Sequence, residues 1–346
     1  MSGRSTEPGL TVRAPRETVA FFGHQEAEST LLRAYQSGRI PHAWLIGGLA
    51  GIGKATLAYR LARFVFAHPD PGSDAVQQSQ TLAVDTDHVA ARRIVAGSHG
   101  GLLVLERTLN ERGVLRTVIS AEEARETVTF FGATAGSDGW RICIVDTVDD
   151  LNAQSANALL KILEEPPPRT LLLLLSNAPG RVLPTLQSRC RKLRLRALET
   201  ADVIAAAATA TDLSLEDPVL AEAAAAAEGS VTQALNLMGG KALGLYQRTM
   251  TLLDALPRLD PMALHALGDA MSSADRTTLG AFVDAIDQWL AARLKVGNAN
   301  ANLARLARLG EVWEKIGSAA RDARDFNLER KPLVFSVFGM LAEAMR

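Results

Sequence analysis

A short glycine-rich segment has the residue types and spacing of a phosphate-binding loop. It reads Gly48-Leu-Ala-Gly51-Ile-Gly53-Lys54-Ala55-Thr56. In such loops glycines let backbone N–H groups surround the phosphates, the lysine reaches the terminal phosphates, and the next hydroxyl holds Mg²⁺. Ala55 supplies no oxygen, and Thr56 comes one residue late, about 100° further around the helix. The segment predicts weakened Mg-nucleotide binding; the alternative is a turn that only joins a strand to a helix.

A second candidate element is an apolar strand that ends in an acid, Ile142-Cys-Ile-Val-Asp146-Thr147. An aspartate in this place beside a phosphate loop holds Mg²⁺ in P-loop enzymes. Thr147 follows it and cannot take a proton near neutral pH, whereas a positioned base contributes roughly 10²–10⁴ in rate. The losses at Ala55 and Thr147 together predict poor hydrolysis. Taken alone, Asp146 equally fits a strand-end aspartate that caps a loop.

Apolar strands that alternate with helices position these residues and predict the fold class. We expect strands at residues 43–46, 102–105, 141–146 and 171–176. A capping box of Ser120 and Glu123 and an N-cap at Asn152 open two of the intervening helices. Beyond about residue 196 only helical patterns remain. The sequence therefore predicts an α/β P-loop domain with a parallel sheet, followed by two all-helical domains.

Composition shifts along the chain give the predicted domain boundaries. Residues 68–101 are rich in Asp, Ser, Gln and Gly and are expected to form a long surface excursion. The alanine-rich helices after residue 200 are expected to pack closely in a small bundle. We predict a disordered arm, an α/β domain, a helical lid and a C-terminal helical collar over residues 1–20, 21–196, 197–241 and 242–346.

Bulk composition excludes several classes of protein. The 346 residues carry a formal net charge of -1, which predicts no chain-wide attraction to nucleic acid or to anionic membranes. Cys143 and Cys190 are the two cysteines, too few for a disulfide framework or a four-cysteine zinc site. The chain has neither a secretory signal pattern nor an apolar run of about 20 residues. We expect a soluble protein of the reducing cytoplasm without membrane contacts.

Several motifs resemble those of the bacterial DNA polymerase III clamp loader subunits, which belong to the AAA+ family. They are Phe22-Gly-His-Gln25, Pro41-His-Ala43, Asn157-Ala-Leu-Leu-Lys161, Glu164-Glu-Pro-Pro167, Ser188-Arg-Cys190 and Arg330-Lys-Pro-Leu-Val334. The similarity extends over most of the chain from about residue 20. AAA+ ATPases carry a glutamate where Thr147 stands. Within the family, the altered loop and the missing glutamate resemble the delta-prime subunit more than the ATP-hydrolysing gamma/tau subunit.

The resemblance implies a role for Arg189 and a set of partners. The family's Ser-Arg-Cys arginine matches Arg189, which would reach in trans into the ATP site of an adjacent gamma/tau subunit as an arginine finger. Spacing alone favours a surface arginine on a half-buried strand. The implied partners are the gamma/tau and delta subunits, the sliding clamp and, through the complex, primed DNA. Lys161 fits a DNA phosphate contact and a solvated helix face equally well.

This sequence departs from the family pattern in its metal and sensor residues. Gamma/tau members and many delta-prime members carry a cysteine zinc module after the P-loop helix, but residues 68–101 contain no cysteine. We expect no structural zinc and no other metal, with Asp85, Asp87 and His88 in a solvated loop. Thr232 replaces the family's sensor arginine. Asn177 stands with Ser176 at the family's polar sensor position, at the end of the strand predicted over residues 171–176. It is the last candidate nucleotide-binding residue.

These features combine into one functional hypothesis with open alternatives. We predict a delta-prime subunit of the DNA polymerase III clamp loader: a non-hydrolysing scaffold within the polymerase holoenzyme that binds ATP or ADP weakly or not at all. The alternatives are an ATP-hydrolysing gamma/tau-like subunit and an interaction-only scaffold with an empty P-loop. A P-loop kinase for a small molecule is disfavoured by the missing base and the helical C-terminal half. His42 is expected to be a hydrogen-bonded core histidine.

Overall fold

The chain forms two compact units in the computed structural model. The structure describes residues 11–109, 116, 118–132, 139–239, 241–273, 276–296, 303–325 and 328–345. The first unit comprises Thr11–Asp217 and Glu228–Thr232, and the second comprises Pro218–Ala227 and the helices from Gln233 onward. Residues 197–241, predicted as a separate lid, are thus divided between the two units. The predicted domain boundaries stay predictions.

The first unit contains a five-stranded parallel sheet, which confirms the predicted α/β class. Its strands are β1 (Ala43–Gly47), β2 (Leu102–Glu106), β3 (Arg141–Asp146), β4 (Thr170–Ser176) and β5 (Arg191–Arg194). They lie in the order β2-β3-β4-β1-β5 and every neighbouring pair is parallel. Because β1 lies between β4 and β5, the loop that follows it begins at the carboxyl edge of the sheet, beside the ends of these two strands.

Alternate strand residues enter two different apolar cores, one on each face of the sheet. Trp44 and Ile46 pack with the first two helices, whereas Leu45 and Val145 pack on the opposite face. Strands that are covered on both faces read as continuous apolar runs, as in the five consecutive leucines of β4. The unit therefore has three layers, with the sheet between two sets of helices.

Helices of the first unit precede, connect and follow these strands. They are α1 (Gln25–Gln36), α2 (Lys54–Ala67), α3 (Asp74–Gln77), α4 (Val89–Val95), α5 (Ala121–Gly132), α6 (Ala153–Glu164), α7 (Pro184–Gln187) and α8 (Thr200–Thr211). The capping box before α5 is confirmed, since Ser120 N donates to Glu123 Oε2 at 2.6 Å and Glu123 N donates to Ser120 Oγ at 3.2 Å. Asn152 caps α6 through its side-chain oxygen.

The predicted surface excursion over residues 68–101 is wrong in one respect, because part of it is packed into the fold. It contains α3 and α4, and Val76, Leu82 and Ile94 are buried. The amide of Leu82 donates to Glu28 Oε1 at 2.8 Å, and the same oxygen accepts from Arg60 Nε at 2.5 Å. Polar composition therefore misled the sequence interpretation, because a few apolar residues anchor the segment.

The predicted disordered arm over residues 1–20 also needs correction. Residues 1–10 lie outside the described residues, but residues 11–20 are ordered on the first unit. Arg13 forms an ion pair with Asp212 at 2.7 Å, and Arg60 Nη1 donates to the Val19 carbonyl at 2.6 Å. Arg63, which is 2% exposed, donates to the carbonyls of Arg16 and Thr18. Buried arginine side chains fix this polar segment through its backbone carbonyls.

The second unit is helical throughout its described residues. Its helices are α9 (Pro218–Ala226), α10 (Val231–Met238), whose first two residues belong to the first unit, α11 (Ala242–Asp254), α12 (Pro261–Ser272), α13 (Arg276–Val296), α14 (Leu303–Asp325) and α15 (Arg330–Ala344). Its largest core includes Phe282, Trp289 and Phe338. Across the described part of the chain, no helix combines the length and the apolar character that crossing a bilayer requires.

Candidate functional site

Residues 48–54, named the cradle here, form the predicted phosphate loop between β1 and α2. Gly51 and Gly53 adopt positive φ values of 75° and 97°, and Gly53 is the N-cap of α2. A side chain on either glycine would strain this backbone. At Gly48, an added Cβ would lie 2.8 Å from the Leu195 carbonyl oxygen. The glycines are therefore required by the backbone path and by close packing.

The lysine of the cradle is hydrogen-bonded to the cradle itself. Lys54 Nζ donates to the carbonyl oxygens of Gly48 at 2.9 Å and Leu49 at 2.5 Å, and the residue is only 5% exposed. Burial lowers the pKa of Lys54 to about 8, and the charges of Asp146 and Asp149 oppose this shift. The ammonium that would meet a phosphate thus already donates to two internal carbonyl oxygens.

A second chain segment, Glu228–Thr232, lies against the tip of the cradle. Ser230 Oγ donates to the Ala50 carbonyl at 2.9 Å, and Val231 N donates to the Gly51 carbonyl at 2.9 Å. An added Cβ at Gly51 would come within 2.3 Å of Ser230 Oγ and 2.7 Å of Thr232 Cβ. The segment that carries Thr232 in place of a sensor arginine therefore packs directly on the loop.

The two residues expected to weaken metal chemistry lie where the sequence placed them. Ala55 is the second residue of α2, next to Lys54, and packs its methyl group against the core on that face of the sheet. Thr56 is half-buried one position later. Thr147 is 9% exposed and follows Asp146 at the end of β3. Since Asp146 acts electrostatically on Lys54, the structure brings the aspartate and the cradle together without a hydroxyl at position 55.

Asp149 is a site residue that sequence reasoning missed. Its carboxylate accepts from Ser176 Oγ at 2.8 Å and from Asn177 N at 2.5 Å, so it fastens the end of β4 to the turn after β3. The side chain of Asn177, predicted to sense nucleotide, is exposed while its backbone is held. The sequence did contain a signal, because Asp149 lies three residues after the end of β3. The polar end of the parallel strand β4, at Ser176, lies at the same edge of the sheet.

Arg189 lies at an exposed position on the surface of the same unit. Its Nη2 forms an ion pair with Glu164 Oε1 at 2.7 Å, and its Nη1 donates to the Thr185 carbonyl at 2.9 Å. The side chains of Arg189 and Glu164 are 36% and 50% exposed. Within the described residues, no hydrogen bond or ion pair joins Arg189 to the cradle. The structure therefore does not unite the predicted finger with this chain's own loop.

Two histidines of the family motifs have structural contacts. His24, which sequence reasoning did not select, is buried and its Nε2 lies 2.9 Å from the Ile52 carbonyl, so it supports the cradle. Burial lowers its pKa, an effect partly opposed by that hydrogen bond and by Asp202. His42 is half-buried with Nε2 3.0 Å from the Leu163 carbonyl, in line with its expected role.

Among the described residues, no three histidine, cysteine, aspartate or glutamate side chains group together in a way that could hold a metal ion. Asp85, Asp87 and His88 are exposed, and His88 Nδ1 caps α4 by accepting from Ala90 N. Cys143 and Cys190 are free, and burial raises the pKa of both thiols, that of Cys190 to about 11. Burial therefore disfavours the thiolate form at both positions.

Comparison with known proteins gives one family and several relatives. Residues 23–199 match the family model described as DNA polymerase III, delta subunit. A DNA polymerase III subunit delta' of Pseudomonas aeruginosa is 35% identical over 43% of this chain and 41% of its own length. A subunit tau/gamma of Haemophilus influenzae is 26% identical over 80% of this chain and 39% of its own length. The chain thus spans about two fifths of these relatives.

A solved structure also overlaps most of the chain. It is a DNA polymerase III gamma subunit-related protein of Thermotoga maritima, with 16% identity and a TM-score of 0.42, covering 92% of this chain and 99% of that one.

Proposed function

The chain belongs to the DNA polymerase III, delta subunit, family, and we propose that it serves the clamp loader as a delta-prime-type subunit. In this proposal it does not hydrolyse ATP. It assembles with gamma/tau and delta subunits, places Arg189 in the ATP site of a gamma/tau neighbour, and helps to load the sliding clamp onto primed DNA. The match to a subunit named delta' supports this choice within the family.

One observation carries the proposal: the cradle satisfies its own lysine, while Arg189 remains exposed. To meet a phosphate, Lys54 must leave the carbonyls of Gly48 and Leu49. The glycines and Lys54 suit a phosphate, but the methyl of Ala55 offers Mg²⁺ no ligand, so the residues present do not fit a complete Mg-nucleotide site. We therefore expect at most weak binding of ATP or ADP, no zinc, and no catalytic step at this loop.

The chemistry assigned to Arg189 requires only a permanent cation at an accessible position. A guanidinium placed on the transferred phosphoryl group of a neighbour stabilises the transition-state charge, an effect worth about 10³–10⁵ in rate in favourable systems. The ion pair with Glu164 is exposed, so exchanging this partner for a phosphate costs about 1 kcal/mol or less. Glu164 thus orients Arg189 but does not prevent Arg189 from binding a phosphate instead.

Reconstitution of the complete clamp loader tests this function. We would measure DNA-stimulated ATP hydrolysis with the full chain or with Arg189→Ala, and use Arg181→Ala as the control because Arg181 is another exposed arginine of the unit. We expect Arg189→Ala to reduce turnover at least tenfold and Arg181→Ala to leave it unchanged. Equal turnover of all three complexes would instead support an interaction-only scaffold.

The match to a tau/gamma subunit over 80% of the chain favours a second candidate, an ATP-hydrolysing subunit. The purified chain distinguishes the two. Under the delta-prime proposal it turns over no ATP with Mg²⁺, and a titration with labelled ATP or ADP gives weak binding that Mg²⁺ does not strengthen. Mg²⁺-dependent turnover that Lys54→Met abolishes would overturn the proposal in favour of the ATPase.

A further inference from the structure

Residues 189–196, named the basic edge here, carry five cations and no acid. They are Arg189, Arg191, Lys192, Arg194 and Arg196, and all five are exposed. The segment includes β5, which is the last strand of the sheet and pairs with β1 alone. This concentration of charge contrasts with the formal net charge of -1 for the whole chain. Any attraction for an anion is therefore local to this edge.

Side chains of the basic edge alternate between the two faces of the sheet. Leu193 and Leu195 are buried in the core on one face. Lys192, Arg194 and Arg196 occupy the alternate positions, so successive cations along the strand are about 6.6 Å apart. The backbone amide of Leu195 donates to the Gly47 carbonyl at 2.8 Å, which extends the pairing with β1 past the end of β5. Lys192 and Arg194 thus lie on β5, and Arg196 follows directly after the last residue that pairs with β1.

The five cations differ in the partners that they already have. Arg189 is paired with Glu164, and the guanidinium of Arg191 lies over the Trp44 ring at 5.6 Å. Lys192 donates to the neutral Gln187 Oε1 at 2.9 Å. Among the described residues, Arg194 and Arg196 have no ion pair, and the next acid along the chain is Glu199. Three positive charges in one row are therefore not neutralised by a carboxylate.

We propose that Lys192, Arg194 and Arg196 form a binding surface for the phosphate backbone of single-stranded nucleic acid. A regular row of point cations on an extended strand suits a linear polyanion, since each cation can contact one phosphate without reading a base. No aromatic side chain belongs to the basic edge, so the contact is electrostatic and independent of sequence. The inference depends on this charge placement and stands whether or not Arg189 acts on a neighbour's nucleotide.

Salt dependence of binding tests the surface directly. The probe is a fluorescein-labelled oligothymidylate, with anisotropy measured on the full chain from 50 to 200 mM salt. The test variant combines Lys192→Gln, Arg194→Gln and Arg196→Gln. The control combines Arg33→Gln, Arg92→Gln and Arg93→Gln, which removes the same charge from exposed positions on α1 and α4. Thermal unfolding verifies that both variants retain the fold.

Loss of three phosphate contacts should reduce the slope of log K against log salt by about 2, at about 0.7 per contact for single strands. The ratio of the wild-type binding constant to that of the test variant should then fall about 16-fold from 50 to 200 mM salt. The control should keep the wild-type slope. Absent wild-type binding, equal effects of the two variants, or tighter binding of labelled polyglutamate than of the oligothymidylate would each overturn the proposal; the last outcome would indicate an acidic protein partner.

Discussion

The cradle follows β1 and the basic edge includes β5, the strand that pairs with β1, yet the two regions use their polar groups in opposite ways. In the cradle, Lys54 and the backbone of residues 50–51 are bonded to other groups of the same unit. Along the edge, the five cations are exposed, and Arg194 and Arg196 have no ion pair among the described residues. A polar group whose partners are internal contributes to stability, whereas an exposed cation is available to another molecule. Substitutions in the two regions should therefore separate folding from interaction.

Gly51→Ala should give the largest loss of stability. Its Cβ would meet Ser230 Oγ and Thr232 Cβ and would also require a positive φ at a residue with a side chain. Overpacking costs about 1–3 kcal/mol and left-handed backbone about 1–2 kcal/mol, so we expect about 2–5 kcal/mol less stability in urea unfolding. Gly100→Ala is the control, since no atom lies within 4 Å of its Cβ. Equal stability of the two variants would contradict the close packing at Gly51.

Lys54→Met should change the pH dependence of the free energy of unfolding, because it removes a buried ammonium group. The folded-state pKa of Lys54, about 8, lies below the ordinary value of 10.5, so the unfolded chain binds more protons between these values. The stability of wild type relative to Lys54→Met should therefore rise from pH 8 to pH 10.5, by about 2–3 kcal/mol, and stay flat below pH 7. Urea titrations of both proteins measure it. A difference independent of pH would show that the ammonium titrates normally.

Asp149→Asn should cost less, about 1.5–3 kcal/mol. It removes the charge from an acceptor that holds both Ser176 Oγ and Asn177 N, and hydrogen bonds to charged groups contribute about this much. Denaturant unfolding with Asp87→Asn, an exposed aspartate of residues 68–101, gives the comparison. If Asp149→Asn were as stable as Asp87→Asn, the end of β4 would not depend on this carboxylate.

Glu164→Gln should have the smallest effect on the free energy of unfolding. It tests most directly the difference between the cradle and the basic edge. Its ion pair with Arg189 is exposed on both sides, so we expect a change in stability of about 0.5 kcal/mol or less. Calorimetry measures this small shift. A loss above about 2 kcal/mol would mean that Arg189 is a structural residue, and the proposed exchange of Glu164 for a phosphate would fail.

Local patterns predicted the sheet and the cradle well. The strands β1 to β4 and the helix caps at Ser120 and Asn152 follow from apolar runs and from side chains that bond within a few residues. The glycines at 51 and 53 were identified for the same reason, because a phosphate loop needs their backbone freedom. Structural features that depend on residues close together in the sequence can therefore be predicted from it.

Long-range pairings were not predictable. The contact of Ser230 with Ala50 joins positions 180 residues apart, and no local pattern announces it. Asp149 was missed because its partners belong to a strand that lies beside β3 only after folding. The same holds for residues 11–20, whose polar sequence suggested disorder until Arg60 and Arg63 supplied donors for their carbonyls.

One buried carboxylate oxygen, Glu28 Oε1, joins α1 to α2 and to the chain after α3, since Arg60 and Leu82 both donate to it. Arg60 in turn holds Val19. Segments that share one buried charge cannot open singly without leaving it unpaired. We therefore expect the amide of Leu82 to exchange with deuterium only when both helices unfold together, so that the polar insertion behaves as part of one cooperative unit.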